Sequence, residues 1–311
     1  MKNVTKTNVL FTTTVLVYII LVYTVRLLPQ KMMTVNLLIV LPEIILLIPS
    51  LFYIMFLRPK TVSDVRAGSV SIGTLVKTVV LTFLMLPLVS LINAVSSSFV
   101  GNSVDSTLDV IGSRYPVWLN LVIIALLPAV VEEFIFRGLI FSGYKKRNPL
   151  RAVILSAALF GLIHMNINQF SYAFVIGTVF ALLVYATGSL VPAILSHFLI
   201  NGTSVVLSHI LASVQTDEMA QAVETVAANQ SGQLTATYVV LGIMAVIGTY
   251  LAALVFKSIC NDNRGYDNVK MIFKKPLVDT YDEAEGKFMD GYLLLGVGIC
   301  IIYIILYEIV L

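Results

Sequence analysis

Charge is scarce in this chain: 12% of its 311 residues are Asp, Glu, Lys or Arg, while 58% are hydrophobic. With a mean hydropathy of +0.94, this is far more apolar surface than a soluble fold requires, and the composition is that of a polytopic membrane protein. Cysteine is nearly absent. Cys260 and Cys300 lie far apart, in or beside separate apolar segments, which excludes a disulfide framework and a cysteine-built metal cluster. The net charge is only +3 and no long basic run occurs, so a nucleic-acid-binding surface is excluded as well. Histidine appears three times, as His164, His197 and His209, and none belongs to the His-Glu-x-x-His helix of zinc peptidases. There is no Gly-x-Gly-Asp of an aspartyl enzyme. The one Gly-x-Ser in an apolar run, Gly202-Thr-Ser204, is a three-residue coincidence.

What the chain has in quantity is long apolar runs. They fall at 8–28, 34–57, 76–99, 117–142, 150–165, 169–188, 190–212, 236–257 and 291–311, and about 20 residues suffice to span a bilayer. The first follows Lys2 and Lys6, as in a signal peptide, but continues to Leu28 without a small-residue cleavage site, so it is read as a retained helix. The fifth is short and ends in the polar Met165-Asn-Ile-Asn-Gln169 turn. The expected fold is an all-α polytopic bundle of eight or nine transmembrane helices in one domain, 1–311, with the chemistry in the fourth to seventh, at about 117–212. A polar stretch at 258–290 reads as a surface loop or linker.

Loop charges orient the spans. Arg58, Lys60, Arg66 and Lys77 follow the second run, Lys145, Lys146, Arg147 and Arg151 the fourth, and Lys257, Arg264, Lys270, Lys274, Lys275 and Lys287 crowd the stretch after the eighth. The intervening 105–109 and 217–224 segments are acidic or poor in lysine, with Arg26 and Lys31 the one discordant pair. This alternation predicts a cytoplasmic N-terminus.

Against that background Glu132 and Glu133 stand out, side by side in the fourth run, with Arg137 one turn on. A charged residue at the centre of a span costs roughly 2.5–3.5 kcal/mol on insertion scales. Glu133 and Arg137, at i and i+4, form a locking ion pair. Glu132 points about 100° away and is left for chemistry, a transport relay or a helix–helix ion pair. Phe160-Gly-Leu-Ile-His164 closes the fifth run, and His197 and Asn201 share a face of the seventh at i and i+4, where both can donate into one cavity. Intramembrane polar groups without partners are costly, so these residues need one another or a substrate. His209 lacks such company and reads as an interface residue near the outer end of its helix.

Glu-Glu-x-x-x-Arg at 132–137, Phe-x-x-x-His at 160–164 and His-x-x-x-Asn at 197–201 resemble, in order and in helix placement, the three signatures of the CPBP intramembrane proteases. That family joins the type II CAAX prenyl endopeptidases to the bacterial Abi and bacteriocin-processing proteins. The resemblance covers residues 117–205 and implies peptide-bond hydrolysis within the membrane, in a cavity open to the cytoplasm. It further implies that Glu132 is the general base, that His164 holds the water, that His197 and Asn201 stabilise the oxyanion, and that Glu133 and Arg137 support them. A zinc-bound form would use Glu132, His164 and His197 as ligands, with water in the fourth position; metal-free activation by Glu132 and His164 is favoured. The implied partners are a membrane-associated peptide or protein and the bilayer; short loops and the lack of a large soluble domain favour a bacterial plasma membrane over the endoplasmic reticulum. Two readings compete. A proton- or solute-coupled transporter would use the glutamates and histidines as a relay, and Glu43 beside Pro42 suits it, but internal repeats are absent. A non-catalytic peptide-binding scaffold would keep the motifs for folding alone.

Overall fold

The structure, a computed structural model, describes residues 2–27, 35–57, 68–100, 115–214, 230–274 and 286–310. Lys31, Arg58, Lys60, Arg66, Lys275 and the acidic 105–109 and 217–224 segments lie outside the described residues. All regular structure among the described residues is helical, as expected of segments that must satisfy their own backbone in lipid. The helices are α1 (Asn3–Arg26), α2 (Val35–Phe52, continued by a π turn, Tyr53–Leu57), α3 (Ile72–Ser97), α4 (Val117–Lys145), α5 (Pro149–Ile163), α6 (Ile167–Thr187), α7 (Val191–Val214), α8 (Gln230–Asn263), α9 (Tyr266–Lys274) and α10 (Gly291–Val310).

Eight of these are long and apolar enough to cross a membrane. The fifth run becomes α5, whose 15 residues give about 22 Å of helix, short of the roughly 30 Å hydrocarbon layer. The Asn148 side chain caps its start by accepting from the Arg151 amide, with Pro149 in the first turn. Its end is abrupt. His164 closes the helix, Met165 turns through φ 53°, and Asn166 caps α6 by accepting from the Gln169 amide. The polar turn is therefore shorter than its composition implies, because Asn166 already starts the next helix. A second tight turn joins α6 to α7, where Gly188 adopts φ 72°, a left-handed conformation that costs glycine nothing.

Helix α4 is the centre of the bundle, and it is irregular. Ordinary turns alternate with π-helical stretches at Leu121–Leu126 and Phe134–Phe141, a distortion found mostly at functional sites. Every residue from 135 to 144 is buried, so this half of α4 is wrapped on all sides. Helices α1, α2, α5, α6 and α7 pack against it, while α3 packs against α6, α7 and α8, and α10 against α1.

The helix ends sort onto two faces. On one, Lys6 donates to the Leu57 carbonyl at 2.6 Å, the Tyr144 hydroxyl to Asn8 at 2.5 Å, and Asn8 to the Phe288 carbonyl at 3.1 Å. The Ser189 hydroxyl reaches the Gly68 carbonyl at 2.8 Å, and Asn263 reaches Thr74 at 3.1 Å. The start of α1 thus shares a face with the α4–α5 and α6–α7 connections and with the segment after α8. On the opposite face, Asn168 donates to Ser97 at 2.5 Å, Tyr238 to the Ala94 carbonyl at 3.3 Å, and His209 lies 3.1 Å from the Tyr115 carbonyl.

The polar stretch at 258–290 is helical over part of its described residues, and 275–285 lie outside them. Helix α8 runs on to Asn263, and α9 lays buried Val269 and Ile272 against the bundle while Lys270 and Lys274 face outward. Spaced at i and i+3, those two apolar residues make a one-sided stripe too short to stand out among the surrounding charges.

Candidate active site

Glu133 and Arg137 are both fully buried, with Nη1 2.7 Å from Oε1. The guanidinium is held on three further sides: Nη2 donates to the Gly177 carbonyl at 3.0 Å, and the rings of Phe160 and Phe180 lie 4.3 and 5.2 Å from its centre. Glycine is needed at 177, since a Cβ there would stand 2.8 Å from Nη2 and 3.1 Å from Phe160 Cδ1.

The same Glu133 oxygen takes a second partner, His197 Nδ1 at 3.1 Å. A paired carboxylate only accepts, so Nδ1 carries the proton and Nε2 faces the other way. There Nε2 lies 3.8 Å from Glu132 Oε2, beyond hydrogen-bond reach. The ring is stacked on Phe180 at 5.4 Å. His164 is fixed similarly: its Nδ1 donates to the Phe160 carbonyl at 2.8 Å, which leaves Nε2 with a lone pair in the neutral ring.

Asn201 has one structural duty. An α-helical Ile124 carbonyl would accept from the amide of residue 128, but that residue is Pro128, which has none. The Asn201 side chain donates to this carbonyl at 3.3 Å. Its second N–H is not needed for that bond.

Glu132, His164, His197 and Asn201 line one cavity of about 760 Å³ together with Tyr18, Glu43 and Phe160, within the size range of small-molecule and peptide sites. The residues singled out by sequence are thus brought to one place by α4, α5 and α7, with Glu133 and Arg137 directly behind. His209 stays outside; it faces the Val205 and Tyr115 carbonyls at 3.0 and 3.1 Å and ties α7 to the start of α4. Sequence reasoning missed the carriers of the frame, Gly177, Phe180 and Pro128, and it did not place Glu43. That glutamate is 8% exposed, and its Oε2 has no hydrogen-bond partner among the described residues. Its signal was present, a carboxylate in a span next to a proline, but nothing in the sequence said which cavity it would reach.

No group of three His, Cys, Asp or Glu side chains among the described residues is arranged to hold a metal ion. Glu132, His164 and His197 share the cavity wall.

Residues 114–203 match the family described as type II CAAX prenyl endopeptidase Rce1-like. The Bacillus subtilis (strain 168) protein named "Putative membrane peptidase YdiL" is 26% identical over 109 residues, which cover 35% of this chain and 45% of that protein. The match thus spans less than half the length of that relative. No solved structure matches the chain. The segment that matches is the one that builds the cavity, and over those residues the chain is similar to the Rce1-like type II CAAX prenyl endopeptidases.

Proposed function

We propose that the chain is an intramembrane endopeptidase that hydrolyses a peptide bond of a membrane-associated peptide or protein. One observation carries this reading: an ionisable base, two histidines anchored through Nδ1 and an amide donor, drawn from three helices, line a single cavity. A structural ion pair needs only Glu133 and Arg137, which leaves the Glu132 carboxylate, Nε2 of both histidines and the second N–H of Asn201 at the cavity for a substrate.

In this mechanism a water donates one hydrogen to Glu132 and the other to His164 Nε2. Glu132 takes the proton as the water oxygen attacks the carbonyl carbon of the scissile bond. The resulting oxyanion accepts from the free N–H of Asn201 and from Nε2–H of a doubly protonated His197, whose charge the oxyanion itself offsets. Each such donor is typically worth a few kcal/mol in the transition state. Glu132 then returns its proton to the leaving nitrogen as the C–N bond breaks. Water activation without a metal is part of the proposal, supported by the donor geometry.

The enzyme acts in a bilayer, in a bacterial plasma membrane, with its N-terminus in the cytoplasm. The basic loops support that orientation: Lys145, Lys146 and Arg147 follow α4 on the face that holds the start of α1, and positive loops stay inside. A second reading, a proton-coupled carrier, is favoured by one observation, the presence of Glu43 in the same cavity as Glu132. Purified protein in liposomes separates the two. Cleavage of anchored peptides without proton flux supports the protease, and flux without cleavage supports the carrier.

A further inference from the structure

Helix α2 carries a carboxylate that the proposed chemistry does not use. Glu43 follows Pro42, and with Leu46, one turn on, these residues form the α2 wall of the cavity that Glu132, His164, His197 and Asn201 line. Because α2 packs along both α1 and α4, Glu43 and Glu132 look into one space, and Tyr18 of α1 joins them there. By helix rise the two glutamates stand at the same depth. Each lies about 20 Å from the face where Leu57 and Lys145 end their helices.

Glu43 and Glu132 are each 8% exposed, and Oε2 of both is without a hydrogen-bond partner among the described residues. The residues that line the cavity include neither lysine nor arginine. The Arg137 guanidinium behind it is committed to Glu133 and the Gly177 carbonyl. A carboxylate buried in lipid is costly unless something cationic meets it. Because Glu43 Oε2 is bonded to neither Glu132 nor a histidine, it stands apart from the proton path. Its surroundings suit a cation on an apolar stem. Leu46 and Val89 offer an apolar wall, Tyr18 an aromatic ring within electrostatic reach of both carboxylates, and Glu43 the counter-charge. Lysine and arginine side chains have that construction, a long hydrocarbon stem with a charged head that also favours aromatic faces.

We infer that Glu43 is a specificity-determining residue that receives a lysine or arginine side chain of the substrate peptide close to the scissile bond. The ammonium or guanidinium donates to Glu43 Oε2 and offsets its charge, which leaves Glu132 to act as base. The cavity of about 760 Å³ is roughly 11 Å across if spherical, and an extended peptide advances about 3.3–3.6 Å per residue, so the basic residue falls within about three positions of the cleaved bond. The substrate class is a membrane-associated peptide with a basic residue beside its cleavage site. The cleavage half of this inference rests on the protease reading, but binding of an organic cation at Glu43 does not.

Two measurements on the full-length protein in detergent test it. In the first, octanoyl-arginine amide and its uncharged analogue octanoyl-citrulline amide are titrated at constant ionic strength against wild type and Glu43→Gln, and thermal stabilisation is read. The inference expects the arginine compound to stabilise wild type more than the citrulline one, and Glu43→Gln to lose that difference. An equal response of wild type to both compounds overturns it, as does a difference that survives in Glu43→Gln. In the second, anchored, fluorescence-quenched peptides carry arginine or citrulline at each position in turn. Wild type should cleave the arginine members with a kcat/KM about 10–100-fold higher, the worth of one charge-assisted hydrogen bond, and Glu43→Gln should cleave both kinds alike. That ratio, read within one preparation, does not depend on how much of a variant folds. Absence of a preference in wild type, or an equal loss on both kinds of peptide in Glu43→Gln, overturns the assignment. Arginine binding that depends on Glu43, with no peptide cleaved, upholds the cation site and counts against the protease reading instead.

Discussion

Nδ1 of His197 lies 3.1 Å from Oε1 of Glu133, the same oxygen that holds Arg137 Nη1 at 2.7 Å. One carboxylate oxygen thus joins α4 to α7 and orients the histidine, while its neighbour Glu132 is turned to the cavity. Adjacent glutamates do different work because a helix points them about 100° apart.

The buried pair should behave as a unit. Arg137→Met alone leaves Glu133 uncompensated and is expected to destabilise the protein by roughly 3–5 kcal/mol. Glu133→Leu combined with Arg137→Met should recover much of that stability, yet remain inactive because His197 has lost its anchor. Thermal unfolding in detergent, paired with peptide cleavage, reads both.

Gly177→Ala brings a Cβ within 2.8 Å of Arg137 Nη2 and 3.3 Å of the Ala157 backbone, and neither neighbour has room to retreat. Overpacking of this kind costs about 1–3 kcal/mol. The variant should unfold at lower temperature and cleave slowly. Unchanged stability would show that Arg137 is held less tightly than its contacts imply.

Asn201 serves the Ile124 carbonyl as well as the proposed oxyanion, and the two duties are separable. Asn201→Ala should lower kcat by roughly 10²–10³-fold, as loss of an oxyanion donor does elsewhere, with little change in peptide binding. It should also cost stability. In a Pro128→Ala background the backbone can supply its own N–H, so the stability cost of Asn201→Ala should shrink while the kcat loss remains. A change mainly in KM would remove Asn201 from the oxyanion role.

Metal dependence has a direct reading. Cleavage by the purified enzyme is expected to survive prolonged dialysis against a zinc chelator. Loss of cleavage that returns on adding zinc alone would make Glu132, His164 and His197 ligands and require them to converge beyond their present arrangement.

Much of this site was legible in the amino-acid order. Spacing at i and i+4 announces the Glu133–Arg137 pair and the shared face of His197 and Asn201, because a helix makes such neighbours unavoidable. Apolar run lengths announce the spans, including the short α5. The rest depends on relations between helices that periodicity does not encode. That Gly177 on α6 must be small, that Asn201 answers for Pro128 on another helix, and that Glu43 from α2 faces Glu132's cavity are all matters of packing.

The central claim is that Glu132 activates water for peptide hydrolysis, and the most direct measurement compares wild type with Glu132→Gln. Both proteins, purified in detergent, are incubated with a pool of membrane-anchored, fluorescence-quenched peptides. A positioned general base is typically worth about 10²–10⁴-fold, so the account predicts cleavage by wild type and a loss of at least that order in Glu132→Gln, with the same unfolding temperature and yield. Equal turnover by the two proteins would contradict it.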